Sequence, residues 1–186
     1  MVRMAIEQAA IGTSTAPLTY RDLEGMPDDG RFYELSNGAL VVTPGPTTNH
    51  QKVATRIARI LDDHLAAGQV ILVEAEVRIR DDTVKRPDVQ VVEDSLTGGQ
   101  SITGTPALVV EVASPSTSLL DRTEKRVVYA EAGIPAYWLV DPVARTITVL
   151  ELADGDYVEV TVLDADGRAE VSVPTTFELD AAAIFA

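Results

Sequence analysis

The sequence contains no cysteine, so disulfide frameworks, thiolate metal sites and cysteine nucleophiles are excluded, and the absence suits a reducing compartment. Long apolar runs are missing too. The N-terminal "MVRMAIEQAAIGTSTAP" lacks the apolar core of a signal peptide, and nothing later approaches a membrane-spanning stretch. A cytoplasmic protein with no membrane partner is expected. Bases are scarce: 15 Lys and Arg stand against 29 Asp and Glu, a net charge of −14. Such a field repels polyanions at long range, so nonspecific nucleic-acid affinity should be poor. A local basic strip or a bound divalent cation can still reverse the sign where a substrate sits.

What is present suits one domain. With 186 residues, 46% of them hydrophobic, the chain can bury a substantial core. Residues 1–17 read as a flexible lead and 18–186 as the domain. In "LTYRDLEGM", Thr19 with an acid three residues on signals a short helix. "RFYELSNGALVV" alternates about Ser36-Asn37-Gly38, the turn chemistry of a hairpin whose first strand carries Glu34. "TTNHQKVATRIARILDDHLAAGQ" predicts a helix entered through Thr48 with Gln51 completing a capping box and Gly68 closing it. Val53, Ile57, Ile60, Leu61 and Leu65 form its buried stripe.

Two strand-like runs follow, "VILVEAEVRIR" and "DVQVVED", linked by the polar "DDTVKRP". "ALVVEVA" is another strand, succeeded by a helix over about 116–132 that Gly133 and Pro135 end, and then by "AYWLVD". Strand, helix, strand in that order favours a parallel pair. "TITVLEL", "DYVEVTVL" and "AEVSV" continue as an antiparallel meander. The expected fold class is α/β: a mixed sheet flanked by two main helices, with a C-terminal meander.

Glu111 interrupts an otherwise apolar strand, and a carboxylate is costly to bury without compensation. Asp88 opens the preceding strand. If the two strands are neighbours their carboxylates converge, and a hard cation such as Mg²⁺ or Mn²⁺ between them would offset their repulsion. On the next helix Asp121 and Lys125 lie one turn apart, with Arg122, Arg126 and Tyr129 nearby. A lysine beside two metal-bound acids suits phosphodiester hydrolysis, orienting water and offsetting transition-state charge. Simpler readings compete: Glu111 as a structurally paired strand acid, Lys125 as a solvated lysine paired with Asp121, and His50 as a hydrogen-bonded residue near its helix start.

Together, "RPDVQVV", "ALVVEVASPST" and "DRTEKRVVYAEAGIPAYWLVDP", with the "FYELSNGALVV" hairpin and the "TTNHQKVATRIARIL" helix, resemble the Uma2 family within the PD-(D/E)xK nuclease superfamily. The resemblance covers roughly residues 18–150. It implies a restriction-endonuclease-like core and a metal-dependent endonuclease acting on DNA. Asp88 and Glu111 would bind Mg²⁺ (or Mn²⁺) with the Val112 carbonyl. Glu34, His50 and Asp121 would be auxiliary, Arg122 and Arg126 would contact phosphate, and a homodimer would serve duplex cleavage. Where the superfamily places its lysine, two positions after Glu111, this chain has Ala113. The lysine role therefore passes to Lys125. The same departure, with the charge of −14, motivates a second reading: a nuclease fold without catalysis, serving as a binding or assembly module. A small phosphoester substrate is a third.

Overall fold

The computed structural model describes residues 16–114 and 121–186, with backbone alone at 121 and 122. Most of the expected flexible lead, and the start of the helix expected from residue 116, lie outside the described residues. The first element of the described residues is α1 (Tyr20–Leu23), capped as expected: the Asp22 carboxylate accepts the Thr19 backbone N–H at 2.7 Å. The hairpin β1 (Arg31–Ser36) and β2 (Ala39–Pro44) turns at Asn37-Gly38, both with positive φ, as a two-residue hairpin turn requires.

Helix α2 (Thr48–Asp62) is capped by Thr47, whose hydroxyl accepts the His50 N–H at 3.3 Å, so the expected cap at Thr48 is displaced by one residue. The helix stops at Asp62 rather than running on to Gly68, which instead precedes β3 with φ +88. Its stripe of Val53, Ala54, Ile57 and Leu61 is buried.

The run read as one strand, "VILVEAEVRIR", is two. β3 (Gln69–Val73) and β4 (Val77–Arg80) belong to different sheets, separated at Glu74 by a left-handed residue (φ +53). The link read as polar contains β5 (Thr83–Lys85), all three residues buried. Its polar groups are satisfied internally: Lys85 Nζ donates to Ser36 Oγ and, at 2.8 Å, to Glu124 Oε1. No apolar periodicity marks such a strand, so patterning misses it.

Then come β6 (Val89–Glu93), β7 (Leu108–Val112), a π-helical turn (Asp121–Lys125), α3 (Arg126–Glu131) and β8 (Ala136–Asp141). β9 (Thr146–Ala153) and β10 (Asp156–Leu163) complete a six-stranded sheet of order β10-β9-β8-β7-β6-β3, in which β7 and β8 are parallel. A second sheet has the order β2-β1-β5-β4. The meander leaves the main sheet after β10: β11 (Arg168–Val171) pairs with β12 (Phe177–Asp180) in a two-stranded ribbon, and α4 (Ala181–Phe185) follows.

Strand alternation sorts the core into two layers. Val89, Val91, Leu108, Val110, Val112, Trp138 and Val140 face α2 and α4, whereas Val109, Tyr137 and Leu150 face α3 through Val128, Tyr129 and Ile134. Glu111 lies on the α3 side of β7. Removing packed methyl groups from the α2 layer is expected to destabilise far more than a surface truncation. Ile57→Ala, at a 1% exposed position, should cost about 2–5 kcal/mol in urea unfolding, and Val143→Ala, 86% exposed, under about 0.5.

Candidate active site

β6 and β7 are antiparallel, with Val89 opposite Val110 and Gln90 opposite Val109. Asp88, a bend residue just before β6, and Glu111, near the end of β7, flank the Val89–Val110 pair at the same end of the two strands.

Glu111 is 3% exposed, and each of its oxygens has a donor from the helical segment above it. Tyr129 Oη donates to Oε1 at 2.7 Å, and Lys125 Nζ lies 2.9 Å from Oε2. Lys125 and Tyr129 are four residues apart, one turn, so a single helical face supplies both. The π-helical turn that carries Lys125 is a feature that recurs at functional sites. Lys125 is buried, with Glu34 Oε1 at 3.9 Å, which removes the solvated-lysine reading. Glu34 also accepts the Arg86 backbone N–H at 3.0 Å. Burial, then the charges of Glu111 and Glu34, pushes the Tyr129 hydroxyl well above its ordinary range, so it stays a neutral donor.

Asp88 is held from two directions. Its Oδ2 accepts the Val112 backbone N–H at 2.6 Å and lies 3.1 Å from His50 Nε2, leaving Oδ1 without a protein donor among the described residues. His50 is buried at the start of α2, and its Nδ1 has no partner among the described residues. Burial by itself lowers the His50 pKa. The hydrogen bond and charge of Asp88, the charge of Glu74 and the Val112 backbone together outweigh it, so the imidazole sits above its ordinary 6.5.

Two groups result: Glu34, Glu111 and Lys125 meet from β1, β7 and the π-helical turn, and His50 and Asp88 meet from α2 and the mouth of β6, linked to the first through the N–H of Val112, the residue after Glu111. Arg126 does not join them. Its guanidinium donates to the Tyr157 carbonyl and lies 3.4 Å from Asp156 on β10, because successive helical residues point about 100° apart. The side chains of Asp121 and Arg122 lie outside the described residues. At position 113, where strand alternation returns to the Glu111 face, Ala113 carries no amine; its N–H continues the pairing to the Val140 carbonyl at 2.7 Å. The amine near Glu111 comes from the helix instead.

Sequence reading gave Tyr129 no task and passed over Lys85, Arg86 and Glu124. Tyr129 carried a usable signal, its four-residue spacing from Lys125. Lys85 and Glu124 carried none, since they meet only through packing of β5 against the π-helical turn. Among the described residues no three His, Cys, Asp or Glu side chains converge as a metal cluster. Asp88, Glu111 and the Val112 carbonyl are nevertheless hard oxygen donors of the type Mg²⁺ takes, an ion that binds through one or two carboxylates and keeps several waters.

The two-sheet mixed α/β architecture is nuclease-like, and comparison with known proteins agrees. Residues 18–182 match the Uma2 family, described as "Putative restriction endonuclease"; the chain belongs to that family. It is 28% identical over 157 residues to the uncharacterized protein slr1290 of Synechocystis sp., covering 80% of this chain and 81% of that one. Its fold is similar, at a TM-score of 0.74 and 20% identity, to the crystal structure of a "putative nuclease belonging to DUF820" from Anabaena variabilis, covering 91% of this chain and 98% of that one.

Two outcomes follow from this geometry. Lys125→Met removes the ammonium beside the buried Glu111 carboxylate and should destabilise by about 3–5 kcal/mol in denaturant unfolding. The double variant Lys125→Met/Glu111→Leu, which removes both charges, should recover most of that loss. In the metal-free protein, His50 should titrate above 6.5 by NMR and fall in Asp88→Asn, where burial is opposed by less. By linkage its raised pKa adds stability that is complete below about 6.5 and disappears as pH rises through the folded value.

Proposed function

We propose that this chain is a divalent-metal-dependent endonuclease that hydrolyses DNA phosphodiester bonds at the Asp88–Glu111–Lys125 cluster. The observation that carries the reading is a buried lysine amine 2.9 Å from the Glu111 carboxylate, with Asp88 bound to the N–H of the next residue, Val112. Buried charges are expensive, and a purely structural role would be served as well by apolar side chains of similar volume.

In this reading Asp88, Glu111 and the Val112 carbonyl hold Mg²⁺ or Mn²⁺. Bound there, the ion supplies Lewis-acid polarisation of a phosphoryl oxygen. The chain's own groups do the rest. His50 and the Val112 N–H fix the Asp88 carboxylate, leaving Oδ1 available. Tyr129 fixes Glu111. The Lys125 ammonium offsets negative charge developing on the phosphate and orients the attacking water. Cutting both strands of a duplex requires two such clusters, which a homodimer supplies.

The test is cleavage of supercoiled plasmid and single-stranded DNA by protein stripped with EDTA and resupplied with Mg²⁺ or Mn²⁺. Cleavage should return with the metal and fall at least about a hundredfold in Asp88→Asn, Glu111→Gln and Lys125→Met, each checked for folding by circular dichroism. Folded wild-type protein that cleaves neither substrate and shows no Mn²⁺ binding by calorimetry overturns the reading in favour of an assembly module.

A further inference from the structure

Lys85 on β5 is the most deeply buried charged side chain among the described residues, 1% exposed, and the chemistry proposed above gives it no task. An ammonium kept out of water is costly, so the contacts that compensate it are informative. Its Nζ donates to Ser36 Oγ on β1 and, at 2.8 Å, to Glu124 Oε1 on the π-helical turn. The Glu124 side chain is 28% exposed, so water reaches only the turn's end of this pair.

These contacts belong to a closed circuit. Glu34 and Ser36, two residues apart on β1, project to one face of that strand: Ser36 meets Lys85, and Glu34 Oε1 lies 3.9 Å from the Lys125 ammonium. One peptide beyond Lys85, the Arg86 N–H donates to that same Glu34 oxygen at 3.0 Å. One peptide before Lys125, Glu124 closes the circuit on Lys85. Three contacts and two peptide links thus fix the π-helical turn against β1 and β5 of the smaller sheet. Glu111 stands on β7 of the larger sheet, where Lys125 Nζ reaches it at 2.9 Å. Rotation of the turn about its axis carries both side chains together, so Lys125 cannot swing away from Glu111 without straining the Lys85 contact.

We propose that Lys85 is a positioning residue: through Glu124 it seats the π-helical turn so that the Lys125 ammonium is delivered to Glu111 on the other sheet. The consequence for hydrolysis rests on the nuclease reading, in which a group misplaced by about 1 Å can lose on the order of a hundredfold in rate; the positioning itself does not. An ion pair that only stabilised the fold would be replaceable by apolar side chains of similar volume without altering how its neighbours interact. A positioning pair is not replaceable in that way, because the apolar substitutes fill the space and lose the direction.

The experiment measures the coupling between Lys125 and Glu111 by urea unfolding in EDTA, from wild type, Lys125→Met, Glu111→Leu and the double variant, and repeats that cycle in a Lys85→Met/Glu124→Leu background. The background removes both charges of the pair, so neither is left buried alone and the fold is retained. Glu124→Gln, which alters the less buried partner, is a second background. The coupling, read as a factor in the unfolding equilibrium constant, should fall at least about tenfold in both. A coupling unchanged within about threefold in both overturns the proposal, since Lys85 and Glu124 then only add stability. In the second arm, metal-dependent cleavage of single-stranded DNA by the two background proteins should show kcat lowered at least about tenfold with KM within about threefold of wild type. Coupling lost from the backgrounds while wild-type protein cleaves nothing sinks the nuclease reading and leaves the positioning of Lys125 standing; intact coupling with full cleavage in the backgrounds does the reverse.

Discussion

A carboxylate and an ammonium kept out of water against each other, Glu111 and Lys125, govern how the two sides of this molecule meet. Either charge buried alone would cost several kcal/mol, and together they roughly break even only if the remaining hydrogen-bonding capacity is satisfied. The helical segment after β7 therefore has one acceptable seat, the one in which Lys125 Nζ and Tyr129 Oη reach the two Glu111 oxygens at once. Sliding by a residue would strand all three groups, as the outward turn of neighbouring Arg126 toward β10 illustrates.

The same segment is fastened from the other side. Glu124, next in sequence to Lys125, is the partner of Lys85 on the smaller sheet, while Lys125 serves the larger one. Consecutive residues of opposite charge thus engage two different sheets, and the π-helical turn sets the directions in which they leave the backbone. The contacts that dock this turn hold an amine against Glu111 on β7, while at the neighbouring mouth of β6 His50 and the Val112 N–H fix Asp88.

The charge balance fits this construction. A surface of net charge −14 gives little help in collecting a polyanion.

Much of this was legible in the residues. The Asn37-Gly38 turn, the apolar stripe of α2, the strand-helix-strand order about β7 and β8, and the oddity of a glutamate in "LVVEV" all rest on local rules of periodicity and turn geometry. Those rules act over a few residues, and so does their reach. They could not see that "VILVEAEVRIR" breaks at a left-handed Glu74, because nothing in its composition marks the break. They could not see β5 as a strand, because Lys85 is buried by partners 49 and 39 positions away, Ser36 and Glu124. By itself the sequence determined most of the strands and helices, though neither β5 nor the break at Glu74, and which acids were candidates for one site. Only the tertiary structure decided that Lys125 faces Glu111, that Arg126 does not, and that Tyr129 and His50 complete the shell, since a buried charge is settled by whatever packing brings to it from elsewhere in the chain.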